Sequence, residues 1–326
     1  MSNFFYVYVL VSNPRDSYYE QALISIISLR HHNPDAAVVL LVDDSTRKTL
    51  VLNRALIKEY VSEIKCVELP KEMSNREKSR WLKTSMYRFI SGDFLFIDTD
   101  TVILKSLKNI ESMNVDFGCV LDKHLSLSKH CNRDLIISNA KKMAFHPSFE
   151  DMHFNSGVML VRKTRQNEEF FCLWHSLWEC CVKKNVYVDQ TSLAEANYRL
   201  NGLIKKMPDA LNCQVEYGMK FLGSAAILHF FVTGDKYDRR PHIFMDPAFY
   251  KKIKQEGISE DVMKIILNPF DGFKEKTQIV GNVAVDYYNS YLSRFFCFLF
   301  CRSKLSRKFF NLLDSFAKFL ILKIKT

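Results

Sequence analysis

The stretch Phe94-Leu95-Phe96-Ile97-Asp98-Thr99-Asp100-Thr101-Val102 decides how this chain is read. Four large apolar residues in a row fit a strand buried on both faces, as in a parallel sheet. Two carboxylates, Asp98 and Asp100, follow at once. In an extended segment residues i and i+2 point to the same side. Two hard oxygen ligands on one side can hold Mg2+ or Mn2+. Taken alone, such a pair is a weak signal, with a capping or turn aspartate as the plainer alternative, so the flanking sequence carries the argument.

Upstream, strand and helix patterns alternate. Phe4 to Val11 is a short apolar, β-rich run, and residues 17 to 32 show helical spacing through Ala22, Leu23, Ile26, Ile27 and Leu29, closed by Asn33-Pro34. The pattern predicts a strand from Ala37 to Val42, a helix from Thr46 to Tyr60, a strand from Ile64 to Leu69 and a helix from Lys78 to Ile90. Such alternation predicts an α/β fold, a mainly parallel sheet with helices on both faces. Ligands of such sheets bind at the carboxyl ends of strands, where Asp98 and Asp100 fall. Downstream, Val102 to Leu104 is apolar, and strands are expected over Phe117 to Leu121, Phe154 to Val161 and Ala225 to Phe230. Residues 122 to 148 are polar and helix-prone, suited to a lid or acceptor-binding insertion. Helices are expected over Asn167 to Lys183 and Asp189 to Leu200, and a charged loop over Gly234 to Pro241.

Composition fits this picture. With 48% apolar and 25% charged residues among 326, the chain is a folded globular protein, not a disordered or collagen-like one. Nine cysteines lie scattered without a Cys-x-x-Cys pair, which points to a reducing compartment. No long uncharged apolar stretch occurs, and the Phe4 to Val11 run lacks a basic flank. Neither a spanning helix nor a signal peptide is expected, so the location read from the sequence is cytoplasmic. His130 with Cys131, and His146 with His153, lack zinc-ligand spacing.

The formal charge of +10 is unevenly placed. Residues 291 to 326 hold Arg294, Arg302, Lys304, Arg307, Lys308, Lys318, Lys323 and Lys325 against one acid, Asp314, a net +7. A near-neutral body without a basic-aromatic stripe argues against nucleic acid. The same tail carries Phe295, Phe296, Phe298, Leu299 and Phe300, then Leu305, Phe309, Leu312, Leu313, Phe316 and Leu320 at helical spacing. That is a basic amphipathic helix with a wide apolar face, suited to an anionic membrane surface; packing on the body or forming a dimer is the plainer alternative.

The aspartate stretch resembles the corresponding strand of GT-A glycosyltransferases, which use nucleotide sugars. Four further segments resemble the retaining family-eight branch, which includes glycogenin and bacterial lipopolysaccharide hexosyltransferases. They are Phe154-Asn155-Ser156-Gly157-Val158, Asp189-Gln190-Thr191-Ser192-Leu193, Met207-Pro208 followed by Asn212, and Leu228-His229-Phe230 with Gly234 and Lys236. Order and approximate spacing agree from residue 4 to about 240. Two departures fall in the last segment: Tyr237-Asp238 replaces the family's Pro-Trp, and the interval from His229 to Gly234 is two residues longer.

The resemblance implies a metal-dependent transferase moving a hexose, with retention, from a UDP-sugar such as UDP-glucose or UDP-galactose to a glycan or lipid-linked acceptor. It implies Asp98, Asp100 and His229 as ligands of Mn2+ or Mg2+. It places Arg80, Lys83, Thr99, Gly234 and Lys236 toward the donor diphosphate, and Val11, Ser12 and Tyr18 toward the nucleoside, with Tyr19 the alternative stacking residue. Asp189 and Gln190 would orient the donor sugar, with Asn155 on the sugar or the acceptor and Asp122 on sugar hydroxyls. The expected organisation is a GT-A catalytic domain over residues 1–240, a helical extension over 241–290 and a membrane-associating tail over 291–326, peripheral on the cytoplasmic face. A nucleotidyltransferase would need a glycine-rich loop after the first strand, and Ser12-Asn13-Pro14-Arg15-Asp16 has none. A catalytically silent membrane scaffold of the same fold would not need Asp98, Asp100, His229 and Asp189 intact.

Overall fold

The first apolar run forms β1 (Phe4–Leu10), an inner strand of a seven-stranded sheet. The structure, a computed structural model, describes residues 4–217, 219–231, 242–273 and 290–324. β2 (Val38–Asp43), β3 (Glu63–Val67) and β4 (Asp93–Ile97) join β1 in parallel, in the order β3-β2-β1-β4. Side chains alternate between two buried clusters. Tyr6, Tyr8, Leu40 and Leu95 enter one, Val7, Val9, Leu41 and Phe96 the other. Both faces are covered, which is what uninterrupted apolar strands require. The helices between them are α1 (Tyr18–His32), the six-residue α2 (Asp44–Thr49) and α3 (Asn75–Ser85).

The sheet then changes direction. β5 (Thr101–Ile103) leaves it, and α4 (Lys108–Glu111) leads to β6 (Phe117–Leu121). α5 (Arg133–Met143) lies within the polar insertion, and β7 (Phe154–Val161) returns between β4 and β6, antiparallel to both. α6 (Arg165–Lys183), α7 (Asp189–Arg199) and the two-residue β8 (Lys205–Lys206) follow, β8 closing that edge in parallel with β6. β9 (Cys213–Gln214) and β10 (Ile227–His229) form a small second sheet with β5 in the order β5-β10-β9. β10 runs antiparallel to β5 and sets His229 opposite Thr101. α8 (Pro247–Glu256) and α9 (Glu260–Leu267) add Phe249, Tyr250, Ile253, Val262 and Ile266 to the cluster that α1 lines.

Several expected elements differ in extent. The helix expected from Thr46 to Tyr60 is two pieces. Asp43 accepts from the Thr46 amide and starts α2 at Asp44. Leu50 then turns into the core, Leu52 takes a φ of 50°, and a 3-10 segment runs Leu52–Glu59. α3 begins earlier than the apolar spacing indicated, because Ser74 and Glu77 form a reciprocal capping box. It ends at Ser85, where the Thr84 and Ser85 hydroxyls donate back to the carbonyls of Arg80 and Trp81.

The chain divides into two units, residues 1–128 with 134–277, and residues 129–133 with 278–326. The second contains helices Tyr291–Arg302 and Lys304–Ile324. The tail is thus two helices, where the periodicity implied one. Ser303 is extended, and its hydroxyl accepts from the Ser306 amide to start the second helix. The Phe296 and Phe310 rings meet edge to face at 6.0 Å. Among the described residues no helix is long and apolar enough to cross a membrane.

Candidate active site

Asp98, Thr99 and Asp100 lie in the turn between β4 and β5, and not on an extended segment. The change of sheet explains this: β4 pairs with β7, β5 pairs with β10, and the chain bends between them. The turn still gathers the carboxylates. Asp98, Asp100 and His229 each offer one ligand atom, all within 4.8 Å of one another. The Asp98 amide donates to the Gly157 carbonyl at 2.7 Å, and the Phe230 amide to the Asp100 carbonyl at 2.9 Å, so backbone bonds hold both ends of the turn. Gly157 leaves room for the imidazole in this position, since a Cβ there would stand 2.3 Å from His229 Cε1.

Behind these three groups lies a layer of buried charge. Lys83 Nζ stands 3.1 Å from both carboxylate oxygens of Asp98 and 3.6 Å from Asp189 Oδ2. Arg80 Nε is 3.1 Å from Asp189 Oδ1, and the Ser156 hydroxyl donates to Asp189 Oδ2 at 2.7 Å. Burial works against the Asp189 charge, but Arg80, Lys83 and Ser156 outweigh it and hold its carboxyl well below the ordinary value. Asp98 goes the other way. Burial, joined by the like charge of Asp100, raises its carboxyl against the pull of Lys83. For His229, burial disfavours the charged ring, yet Asp100 at 3.2 Å from Nε2 raises its pKa overall. Two oxygen donors and one imidazole, with a carboxylate destabilised by its neighbour, match the chemistry of a Mn2+ or Mg2+ site.

Among the remaining candidates, Asp122 and Asn155 are linked through Asn212 to His229. Asp122 follows β6 directly and accepts from Asn155 Nδ2 at 2.8 Å. Lys123 and His124 after it both take positive φ, 53° and 60°. Gln190, half-buried, sits beside Asp189 in the first turn of α7. Val11 is buried at the end of β1, and Ser12 is tied there by its amide to Thr46 Oγ1 and by its hydroxyl to Asp16 Oδ1. Tyr18 is 47% exposed, whereas Tyr19 is buried under the Arg54 guanidinium. Gly234 and Lys236 lie outside the described residues.

Three further contributors carry no signal of their role in the sequence. Ser156 was a letter in a matching segment, as was Asn212, which is fully buried and bonded to both Asn155 and His229. Lys254 of α8 carried no local signal. Its ammonium donates to the Asp16 and Pro14 carbonyls, pinning the loop after β1 from 238 residues away.

The sequence profile described as Glycosyl transferase family 8 matches residues 9–235, more than two thirds of the chain. The chain belongs to glycosyltransferase family 8. An active-site mutant of LgtC shares its fold with a TM-score of 0.52, at 13% identity over 78% of this chain and 98% of that one. The galactosyltransferase LgtC in complex with donor and acceptor sugar analogues gives 0.49 at 12% identity, covering 79% and 99%. Mouse xyloside xylosyltransferase 1 gives 0.46 at 12% identity, covering 70% and 98%. No curated protein sequence matches the chain. As a family 8 glycosyltransferase of GT-A fold, the chain is a transferase for which a nucleotide-sugar donor, a glycan acceptor and a divalent cation are implied.

Proposed function

We propose that this enzyme transfers a hexose from UDP-glucose or UDP-galactose to a glycan or lipid-linked acceptor, with retention of anomeric configuration. The observation that carries the reading is the convergence of Asp98, Asp100 and His229 in front of the Lys83–Asp189–Arg80 layer. Asp98, Asp100 and His229 would hold the divalent cation. When bound, the cation neutralises charge developing on a departing diphosphate. Lys83 and Arg80 supply fixed positive charge on the protein side of the same centre. Asp189, kept ionised by its neighbours, faces positive charge developing on the donor sugar, with Gln190 beside it. Asn155 and Asp122 orient hydroxyls of the sugar or acceptor. Tyr18 and the Val11–Ser12 strand end take the nucleoside.

The tail fits a membrane-held acceptor. Tyr291, Leu292, Phe295, Phe298, Leu305, Phe309, Leu312 and Phe316 are all more than half exposed, beside a net charge of +7 over residues 291–326. An anionic lipid surface would cover the apolar face and answer the charge together.

The test is a panel of nucleotide sugars, scored for transfer or hydrolysis with and without Mn2+. Turnover should require the metal and fall at least about a hundredfold in folded Asp98→Ala or Asp100→Ala. A UDP-α-sugar should give an α-linked product by NMR coupling constant. Turnover that survives exhaustive chelation removes the metal role, and a β-linked product removes retention.

A further inference from the structure

An unbroken run of side-chain hydrogen bonds crosses the site from Asp122 to His229. Asn155 Nδ2 donates to Asp122 Oδ1 at 2.8 Å, Asn212 Nδ2 to Asn155 Oδ1 at 2.9 Å, and His229 Nδ1 meets Asn212 Oδ1 at 2.9 Å. All four residues are at least nine-tenths buried. The direction of this run is not arbitrary. The Gly157 amide donates to the same Asn155 oxygen at 2.8 Å, and a backbone N–H can only donate. That oxygen is therefore the Oδ1 of Asn155, which leaves its amide nitrogen for the Asp122 carboxylate. The group of Asn212 that faces Asn155 Oδ1 must be its own amide nitrogen, so its oxygen faces the imidazole. An oxygen there accepts a proton from Nδ1 and cannot give one.

From this we infer that Asn212 is a positioning residue. It keeps the proton of His229 on Nδ1, turning the Nε2 lone pair toward Asp98 and Asp100. The inference rests on the metal-site reading given under Proposed function and adds to it a residue that touches neither cation nor substrate. Groups that bond to the far nitrogen of a metal-binding imidazole fix its tautomer and ring orientation, and their loss costs about 10–100-fold in affinity or activity. Asn212 also cannot be displaced from its place cheaply: it is fully buried, and β9 begins at the next residue.

The experiment measures Mn2+ affinity in the presence of UDP, by electron paramagnetic resonance of free Mn2+, on the full chain. Asn212→Ala should bind Mn2+ about tenfold more weakly or worse. Asn212→Asp keeps an acceptor toward Nδ1 but sets two oxygens against each other at Asn155. It should melt at a lower temperature than wild type yet bind Mn2+ within about threefold of it, a split that a purely structural role does not produce. A two-bond 1H–15N spectrum of the wild-type Mg2+–UDP complex gives a readout independent of any variant, and the His229 proton should sit on Nδ1. Equal Mn2+ affinity in Asn212→Ala, or a proton on Nε2 in the complex, overturns the inference and leaves the metal site standing. Wild-type protein that binds no Mn2+ with UDP overturns both.

Discussion

Lys83 holds Asp98 with its ammonium 3.1 Å from each carboxylate oxygen, and it does so almost entirely out of solvent. The same ammonium lies 4.9 Å from the centre of the Phe96 ring, on the strand that leads into the turn. One lysine thus serves two carboxylates, Asp98 and Asp189, that lie 91 residues apart in the sequence. Removing one partner of a buried pair costs about 3–5 kcal/mol, because the other charge is left uncompensated. Asp98 is a quarter exposed, so the lower figure applies. Lys83→Met should lower the unfolding free energy by about 3 kcal/mol in denaturant titration of metal-free protein. A loss under about 1 kcal/mol would mean that water already screens the pair.

Gly157 has a narrower role. A methyl group there would fall 2.3 Å from His229 Cε1, 2.9 Å from its Nδ1 and 2.8 Å from Asn155 Oδ1. The strand can accept alanine; the imidazole cannot stay where it is. Gly157→Ala should retain its secondary structure by circular dichroism while Mn2+ affinity falls by about tenfold or more. Unchanged affinity would show that His229 reaches the metal from another rotamer.

The fold was legible where burial dictates composition. β1, β2 and β4 must be apolar on both faces, so their runs stand out, and Asp98 and Asp100 interrupt the last one abruptly. The antiparallel return of β7 was not legible, since a strand buried on both faces reads alike in either direction. β8 and β9, two residues each, are too short to leave a pattern. Within the site, Asp98, Asp100, Asp189 and His229 announced themselves by chemistry and by resemblance. Asn212 and Ser156 lie in resembling segments, but their roles were not legible, because each is a hydrogen bond to a partner 17 or 33 residues away. Lys254 is plainer still: nothing around it in sequence tells that it will meet the Pro14 and Asp16 carbonyls.

His242 gives the fold an acid limit. It is fully buried among Phe230, Phe244 and Phe273, accepts from the Phe244 amide at Nδ1 and faces the Pro269 carbonyl with Nε2 at 2.6 Å. Burial pushes its pKa from 6.5 down to about 4, with the Pro269 carbonyl opposing. The folded value is depressed, so between the two values the unfolded chain binds a proton that the native chain does not. Its contribution is complete above about pH 6.5, falls as pH drops toward about 4 and is constant below that, roughly 3 kcal/mol in all. Burial also lowers His124 and His175, which add in the same direction. The difference between wild type and His242→Gln isolates the term. The variant should be less stable at pH 7.5 and lose less on going to pH 5, measured by denaturant midpoint. Parallel pH curves would assign the acid sensitivity to the other histidines.

The tail combines an exposed apolar face with clustered positive charge. Leu305, Phe309, Leu312, Phe316 and Leu320 of helix Lys304–Ile324 are exposed, and Lys304, Arg307 and Lys308 are exposed at its start. An apolar face by itself binds neutral and anionic bilayers alike, whereas basic residues distinguish them. Each Lys or Arg near an anionic surface adds about 1 kcal/mol, so neutralising Lys304, Arg307 and Lys308 together should weaken binding to phosphatidylserine-containing vesicles roughly a hundredfold. Binding to pure phosphatidylcholine should be weaker from the outset and little changed by the triple substitution. High salt should bring wild type toward the variant, because exposed charges are screened within a Debye length of about 8 Å at physiological ionic strength. Sedimentation with vesicles at two salt concentrations measures all of this on full-length protein. If wild type ignores anionic vesicles at low salt and instead sediments as a dimer, the apolar face is a contact between chains and the acceptor need not be membrane-held.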